Sequence, residues 1–254
     1  MKKNYIIAAG IILAGLSPAL SADFYQSNFG SMGTIGTTPP LGWSVLILPG
    51  DSSNLVIPTG PEMAAAIAPG NALAIWNQTD PVAEFLDQAA NVGSTPTNPN
   101  RLLGSNPTQD RGTILQLSLN NNSGAPVNTI SIAYNMLAMA NGVNKPQYPN
   151  ATHEELPGYS FYYLDGSTWT HAASLDLSND TLNSLGQAFA TIHLSTPVAN
   201  GGNVQFRWFD DNSLYYAPDF TFAIDNVIVN IPEPGTLSLL AVGALAFISR
   251  RRLV

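Results

Sequence analysis

Short runs of alternating apolar and polar residues recur through the middle of this chain, with turn-forming residues between them. Leu115, Leu117 and Leu119 alternate with polar residues, as do Val204 and Phe206 further along. Successive side chains of a β-strand point to opposite faces, so each such run buries one apolar face. Gly, Pro, Ser, Thr and Asn interrupt the chain at short intervals, as they do in turns. The pattern therefore predicts many short strands.

Helix signals are few. Asp80-Pro81 is typical of a helix start, and 61–68 has room for a turn or two. The Asn-rich turn at 120–124 predicts a hairpin loop between its flanking strands. Together these patterns predict an all-β fold, an antiparallel β-sandwich of jelly-roll type. The predicted strands are 43–48, 72–76, 113–119, 129–134, 159–164, 188–194, 204–209 and 220–229.

The C-terminal end has three parts: a Pro-Glu-Pro triplet, an apolar run at 236–249 and an arginine cluster. The apolar run predicts a transmembrane helix. This helix is short, because it would span about 21 Å of a bilayer core that is ~30 Å thick. The arginines act as a membrane stop that remains in the cytoplasm. The triplet is Pro232, Glu233 and Pro234, and the cluster is Arg250, Arg251 and Arg252.

These three parts, in this order, resemble the PEP-CTERM sorting signal of Gram-negative bacterial surface and matrix proteins. The resemblance covers residues 231–254. It implies a protein tethered to the inner membrane, recognised by an exosortase, and then delivered to the cell surface or extracellular matrix without its tail. The alternative is an ordinary C-terminal membrane anchor.

The N-terminus has the pattern of a secretory leader. Lys2 and Lys3 precede an apolar stretch at 5–16, and the small residues Ala19 and Ser21 bracket a cleavage pattern. An N-terminal anchor fits less well, because this stretch is too short to span a bilayer. The predicted organisation is a signal peptide with its helix at 1–21, removed by signal peptidase, a β-sandwich at 22–230 and the sorting signal at 231–254.

Without its two ends the chain is strongly acidic. The body keeps four basic residues against sixteen acidic ones, a formal charge of −12. Nucleic acid and anionic lipid partners need a basic patch, which four scattered residues do not form. The chain has no cysteine, which excludes disulfides and thiolate metal sites. The four basic residues are Arg101, Arg111, Lys145 and Arg207.

Acidic residues near the last two strands form a candidate calcium site. Calcium prefers six to eight oxygen ligands, and Asp210, Asp211 and Asp225 supply carboxylates there. The segment 223–227 resembles the terminal strand of jelly-roll carbohydrate-binding modules, whose aspartate often helps to hold a structural calcium. Strand parity places Asp225 on the face of the valines that follow it. In the alternative, Asp225 pairs with Arg207 or caps a turn. Calcium is the single candidate cofactor.

Aromatic residues suggest a second site. Sugar-binding sandwiches stack sugar rings on exposed aromatic side chains, and Tyr215 and Tyr216 lie on a predicted loop, where binding residues concentrate. Trp208 has the parity of a core residue. The two tyrosines are therefore candidate glycan-binding residues; the alternative is that the aromatic residues belong to the core or to interfaces.

The body also resembles a group of bacterial exported β-sandwich domains that often precede PEP-CTERM tails. The resemblance runs through the segments 111–124, 130–134, 156–169, 204–212 and 223–227. It implies the fold and the exported setting, and the group has no common activity.

These observations predict an exported, non-catalytic cell-surface or extracellular-matrix protein, processed by an exosortase and associated with exopolysaccharide in a biofilm. One alternative is a secreted hydrolase that acts on glycans or esters with a pair of carboxylates. Another is a structural protein that packs against copies of itself. The sequence has neither a His-Glu-x-x-His zinc motif nor a Gly-x-Ser-x-Gly elbow.

Overall fold

The computed structural model describes the β-rich body of the chain. The predicted signal peptide and the sorting signal from Pro232 onward lie outside the described residues. Within the described ranges, no helix has the length and apolar character needed to cross a membrane. The described residues are 23–51, 56–68, 76–78, 89–92, 99–105, 107, 110–139, 156, 158–178, 185–212 and 221–231.

Strands dominate these residues. One short helix, α1, covers Gly60–Ala64. The strands are β1 (Asp23–Ser27), β2 (Trp43–Leu48), β3 (Trp76–Gln78), β4 (Ala89–Val92), β5 (Leu102–Ser105), β6 (Gly112–Asn120), β7 (Val127–Met139), β8 (Ser160–Asp165), β9 (Thr168–His171), β10 (Leu185–Val198), β11 (Asn203–Asp211) and β12 (Thr221–Asn230).

The strands form two sheets. Sheet A has the order β10-β7-β12-β5-β4-β3, with β1 also paired to β12, and sheet B has the order β2-β6-β11-β8-β9. Every described pairing is antiparallel except that of β3 with β4. From β5 to β8, and again from β9 to β12, each strand lies in the sheet opposite its predecessor. This alternation is the jelly-roll arrangement, so the predicted all-β sandwich is confirmed.

The core between the sheets is aromatic. Trp208 of β11 is fully buried, and its ring lies 5.1 Å from Trp43, 5.1 Å from Phe161 and 5.6 Å from Tyr134. The Tyr134 and Phe161 rings meet Trp208 edge-on, an arrangement that aromatic quadrupoles favour. The core parity predicted for Trp208 is confirmed.

The Asn-rich turn is not a hairpin. It joins β6 of sheet B to β7 of sheet A, so it is a corner between the sheets. The buried Asn121 holds this corner, because its side-chain amide donates to the carbonyl oxygens of Ala125 at 2.8 Å and Val198 at 2.9 Å. A hairpin loop and a corner between two sheets use the same turn-forming residues, so the sequence does not distinguish them.

The outer face of sheet B is covered by the chain itself. We call residues 56–68 the strap. Thr59 caps α1 with a capping box, in which its amide and hydroxyl both donate to Glu62 Oε2 at 2.7 Å. The strap buries Met63 completely. Met63 belongs to a cluster with one outward side chain from each strand of sheet B: Leu48, Ile114, Tyr162, Trp169 and Phe209.

Polar contacts fasten the strap. Arg111 Nη1 lies 2.7 Å from Glu62 Oε1, and its Nη2 donates to the carbonyl oxygen of Val56 at 2.7 Å. Arg207 donates to the Met63 carbonyl oxygen, and its guanidinium lies 3.9 Å from the centre of the Trp169 ring. Both arginines therefore hold backbone of the strap against sheet B.

Candidate functional site

The three candidate calcium ligands lie on different surfaces. Asp210 points between the sheets, where it accepts a 2.6 Å hydrogen bond from Ser105 of β5. Side chains alternate along a strand, so Asp211 lies on the other side of sheet B. Asp225 lies on the outer face of sheet A, where Asn100 Nδ2 is 3.5 Å from its carboxylate. The structure does not bring these carboxylates together.

No group of three or more acidic or histidine side chains suited to a metal ion occurs in the ranges that the structure describes. Structural calcium therefore stays a prediction. The glycan candidates Tyr215 and Tyr216 lie outside the described residues, as do the sorting triplet and the arginine cluster.

The parity predicted for Asp225 is wrong, because β12 contains a bulge. The pairing with β7 shifts between Asp225 and Ile228, which adds one residue to β12. Asn226 takes the left-handed conformation there, with φ of 49°. Val227 and Val229 consequently face the core, while Asp225 and Ile228 face outward. The predicted alternative partner Arg207 lies instead on the outer face of sheet B.

A histidine and a carboxylate form a pair at the edge of sheet B. His171 Nε2 lies 2.8 Å from Asp176 Oδ2, and Asp176 Oδ1 also accepts the Phe161 amide at 2.8 Å. The His171 ring packs on Tyr162 at 5.1 Å. These contacts fasten the segment after β9 to β8. Nothing in the described part of the chain favours the hydrolase alternative, which stays a prediction.

The outer face of sheet A differs from that of sheet B, because its β10 and β7 side is exposed. We call this surface the open face. A fourth outward row beside it, Leu185, Leu137 and Ala223, leads into a buried apolar cluster with Val92 and Leu102. The open face itself has three adjacent cross-strand rows, each with one residue from β10, β7 and β12. The rows are Gln187, Asn135 and Asp225; Phe189, Ala133 and Ile228; and Thr191, Ser131 and Asn230.

Phe189 dominates the open face. Its side chain is 69% exposed, although it stands in the well-paired strand β10. The small side chain of Ala133 lies between Phe189 and Ile228, so the middle row has a low centre. The Phe189 ring and the small Ala133 side chain beside it form a shallow apolar surface on which a flat apolar partner can lie.

Polar groups flank this apolar row. On one side the hydroxyls of Ser131 and Thr191 lie 2.9 Å apart in a hydrogen bond. On the other side stand the amides of Gln187 and Asn135. Beyond them Asp225 is only 7% exposed and accepts the Asn226 amide at 2.7 Å, and burial raises the pKa of its carboxyl group. The three rows include no basic side chain.

The open face was not among the sites predicted from the sequence. In 188–194 the inward positions are Ala188, Ala190, Ile192 and Leu194, which leaves Phe189 on the same side as Thr191 and His193. A phenylalanine at the polar parity of a strand is the signal that marks it. The aromatic candidates predicted from the sequence are tyrosines, so Phe189 is not among them.

The fold is thus an antiparallel jelly-roll sandwich in which the outer face of sheet B is covered and the β10 and β7 side of sheet A is open. Residues 230–252 match the family described as PEP-CTERM protein-sorting motif. The chain therefore carries this motif, which indicates an exported protein that is anchored at the membrane before an exosortase processes it. No curated protein matches the chain.

Many solved structures are similar to this chain. The C-terminal family 22 carbohydrate binding module of Clostridium thermocellum Xyn10B has 12% identity and a TM-score of 0.42, with 85% of this chain and 98% of that chain covered. An apo form cyclase from Fischerella sp. has 15% identity and a TM-score of 0.41, with 86% and 93% covered. The CBM22-1 xylan-binding domain from Paenibacillus barcinonensis Xyn10C has 10% identity and a TM-score of 0.38, with 84% and 97% covered. At these TM-scores the likenesses carry no argument about function.

Proposed function

We propose that this protein is a non-catalytic surface or matrix protein that associates with extracellular polysaccharide through the open face. The single observation that carries the proposal is the exposed Phe189 ring between two rows of hydrogen-bonding side chains. The sorting motif supports the proposal, because it indicates an exported protein and extracellular polysaccharide lies outside the cytoplasm.

The apolar row matches one property of a sugar ring. A pyranose ring has faces of C–H groups, and burying apolar surface against an aromatic ring is favourable by roughly 25 cal/mol per Å². Phe189 offers such a surface in the folded protein without rearrangement of its strand. The low floor at Ala133 leaves room for a ring beside it.

The polar rows match the other property. Sugar hydroxyls need donors and acceptors, and a site built from amides and hydroxyls supplies both. Gln187 and Asn135 offer amides on one side of Phe189, and Thr191 and Ser131 offer hydroxyls on the other. Since Asp225 is the only ionisable side chain of the three rows and is buried, the open face favours a neutral polymer over a polyanion.

The test is co-sedimentation with insoluble polysaccharide. The processed protein is collected after export from an exosortase-bearing host and mixed with cellulose, xylan, chitin or the host's own exopolysaccharide. Loss of about 1.4 kcal/mol of apolar contact corresponds to a tenfold weaker affinity, so Phe189→Ala should bind about tenfold more weakly.

Leu41→Ala is the matched control. Leu41 is 96% exposed but precedes β2, away from the open face. Its truncation removes an exposed apolar side chain without changing the proposed surface, so binding should stay at the level of the natural protein. Binding to none of the polysaccharides, or equal losses in both variants, would overturn the proposal.

A further inference from the structure

The edges of the two sheets are protected unequally. A sheet edge presents unpaired backbone groups, and natural proteins usually cover, shorten or charge it. In sheet B the edge strand β2 is bridged by the strap, since Ile47 and Ile67 exchange two backbone hydrogen bonds of 2.9 and 3.0 Å. The opposite edge strand, β9, covers only Thr168–His171.

Strand β10 is a long edge strand, and in the described part of the chain no strand pairs with its outer edge. It covers Leu185–Val198, and among the described strands it pairs only with β7. Its sequence contains no Asp, Glu, Lys or Arg, and His193 is its only titratable residue. Leu185 and Phe189 are both exposed on its outward side.

The far end of β10 is already occupied. Asp165, at the end of β8, accepts the backbone amides of Ser195 at 2.9 Å and Thr196 at 3.0 Å. The register with β7 also shifts after His193. The regular edge therefore runs from Leu185 to about Leu194, long enough for a paired strand of ordinary length.

We infer that this edge pairs with the same edge of a second copy of the chain, in antiparallel orientation. Two identical strands related by a two-fold axis present the same surface to each other, as in most homodimers. The body has a formal charge of −12, so two copies repel each other over most of their surfaces. The uncharged β10 edge is a surface on which they approach without facing acidic side chains.

This pairing would join the two A sheets. The open faces of both copies would then form one continuous surface with two Phe189 rings. Two linked sites on one polymer raise the effective affinity by avidity. The inference does not depend on polysaccharide binding, because self-association is measured without polysaccharide.

The test is sedimentation equilibrium of the processed protein over a range of protein and salt concentrations. We expect a monomer–dimer equilibrium that shifts toward dimer as salt screens the acidic surfaces. Thr191→Asp puts a poorly strand-forming carboxylate near the two-fold axis, so the dimer dissociation constant should rise about tenfold or more.

Ser131→Asp is the control. Ser131 and Thr191 share one hydrogen bond on the same face, so either substitution replaces one hydroxyl of that bond by a carboxylate and adds one negative charge. Only Thr191 is on the edge strand, so Ser131→Asp should leave the dissociation constant within about twofold, as expected for a substitution outside the contact. A monomer at every concentration and salt, or equal weakening by the two substitutions, would overturn the inference. Circular dichroism verifies that both variants are folded.

Discussion

The outer face of sheet B and the open face of sheet A differ in how far their side chains are exposed to solvent. Sheet B buries its outward apolar side chains under the strap, which is fastened by Arg111 and Arg207. Sheet A leaves Phe189 exposed on strand β10. Side chains alternate between the two sides of a strand, so Phe189 lies on the side of β10 that does not face the core. The first face is therefore part of the folded core, whereas the second is the surface on which we propose binding.

The largest expected effect is on the covered face. Met63 is 0% exposed, so Met63→Ala removes fully buried side-chain atoms and should lower the free energy of unfolding by about 2–5 kcal/mol. Phe189→Ala deletes a larger side chain on the open face, yet its effect should stay within about 0.5 kcal/mol. Urea unfolding of both variants measures the contrast. Similar losses in the two variants would show that the faces do not differ in this way.

A smaller effect is expected on the stability of the protein at low pH. Hydrogen bonds from the Thr59 backbone and hydroxyl, then the contact with Arg111, lower the pKa of Glu62 to about 2 from 4.5. Because the folded-state pKa is depressed, the stabilisation by Glu62 is complete above pH 4.5 and is lost as the pH falls toward 2. The Glu62 side chain is 42% exposed, which limits this contribution to about 1 kcal/mol.

Glu62→Gln isolates the contribution from the other carboxylates of this acidic chain. Above pH 4.5 the variant should be less stable than the natural protein, and the difference should shrink as the pH falls from 4.5 through about 2. Urea unfolding at several pH values measures it. A difference that does not change with pH would mean that the strap does not depend on the ionised carboxylate.

The sequence predicted the strands that have one buried face. The prediction for 43–48 coincides with β2, and 113–119 and 204–209 lie within β6 and β11. Strand β5 escaped prediction because all four of its residues are buried, so it shows no alternation. The prediction at 72–76 reaches the described residues only at Trp76, which begins β3.

The candidate site was less accessible to sequence reasoning. The bulge at Asn226 reverses the parity of β12. The sequence around it does not predict a bulge, because asparagine adopts the left-handed conformation in many turns as well. The three aspartates lie near each other in the sequence, but Asp210 belongs to sheet B and Asp225 to the outer face of sheet A. Alternation along β11 separates Asp211 from Asp210 as well. Phe189 was predictable in principle from the parity of β10, whereas its cross-strand neighbours depend on the register.

The central claim is that the open face is the polysaccharide-binding surface and the covered face is not. Hydroxyl-radical footprinting of the processed protein, with and without the polysaccharide that co-sediments with it, compares the two faces in one sample. We expect Phe189 to be oxidised in the free protein and protected in the complex, while Met63, although a readily oxidised residue, stays unmodified in both. Equal oxidation of Phe189 with and without polysaccharide would contradict the account.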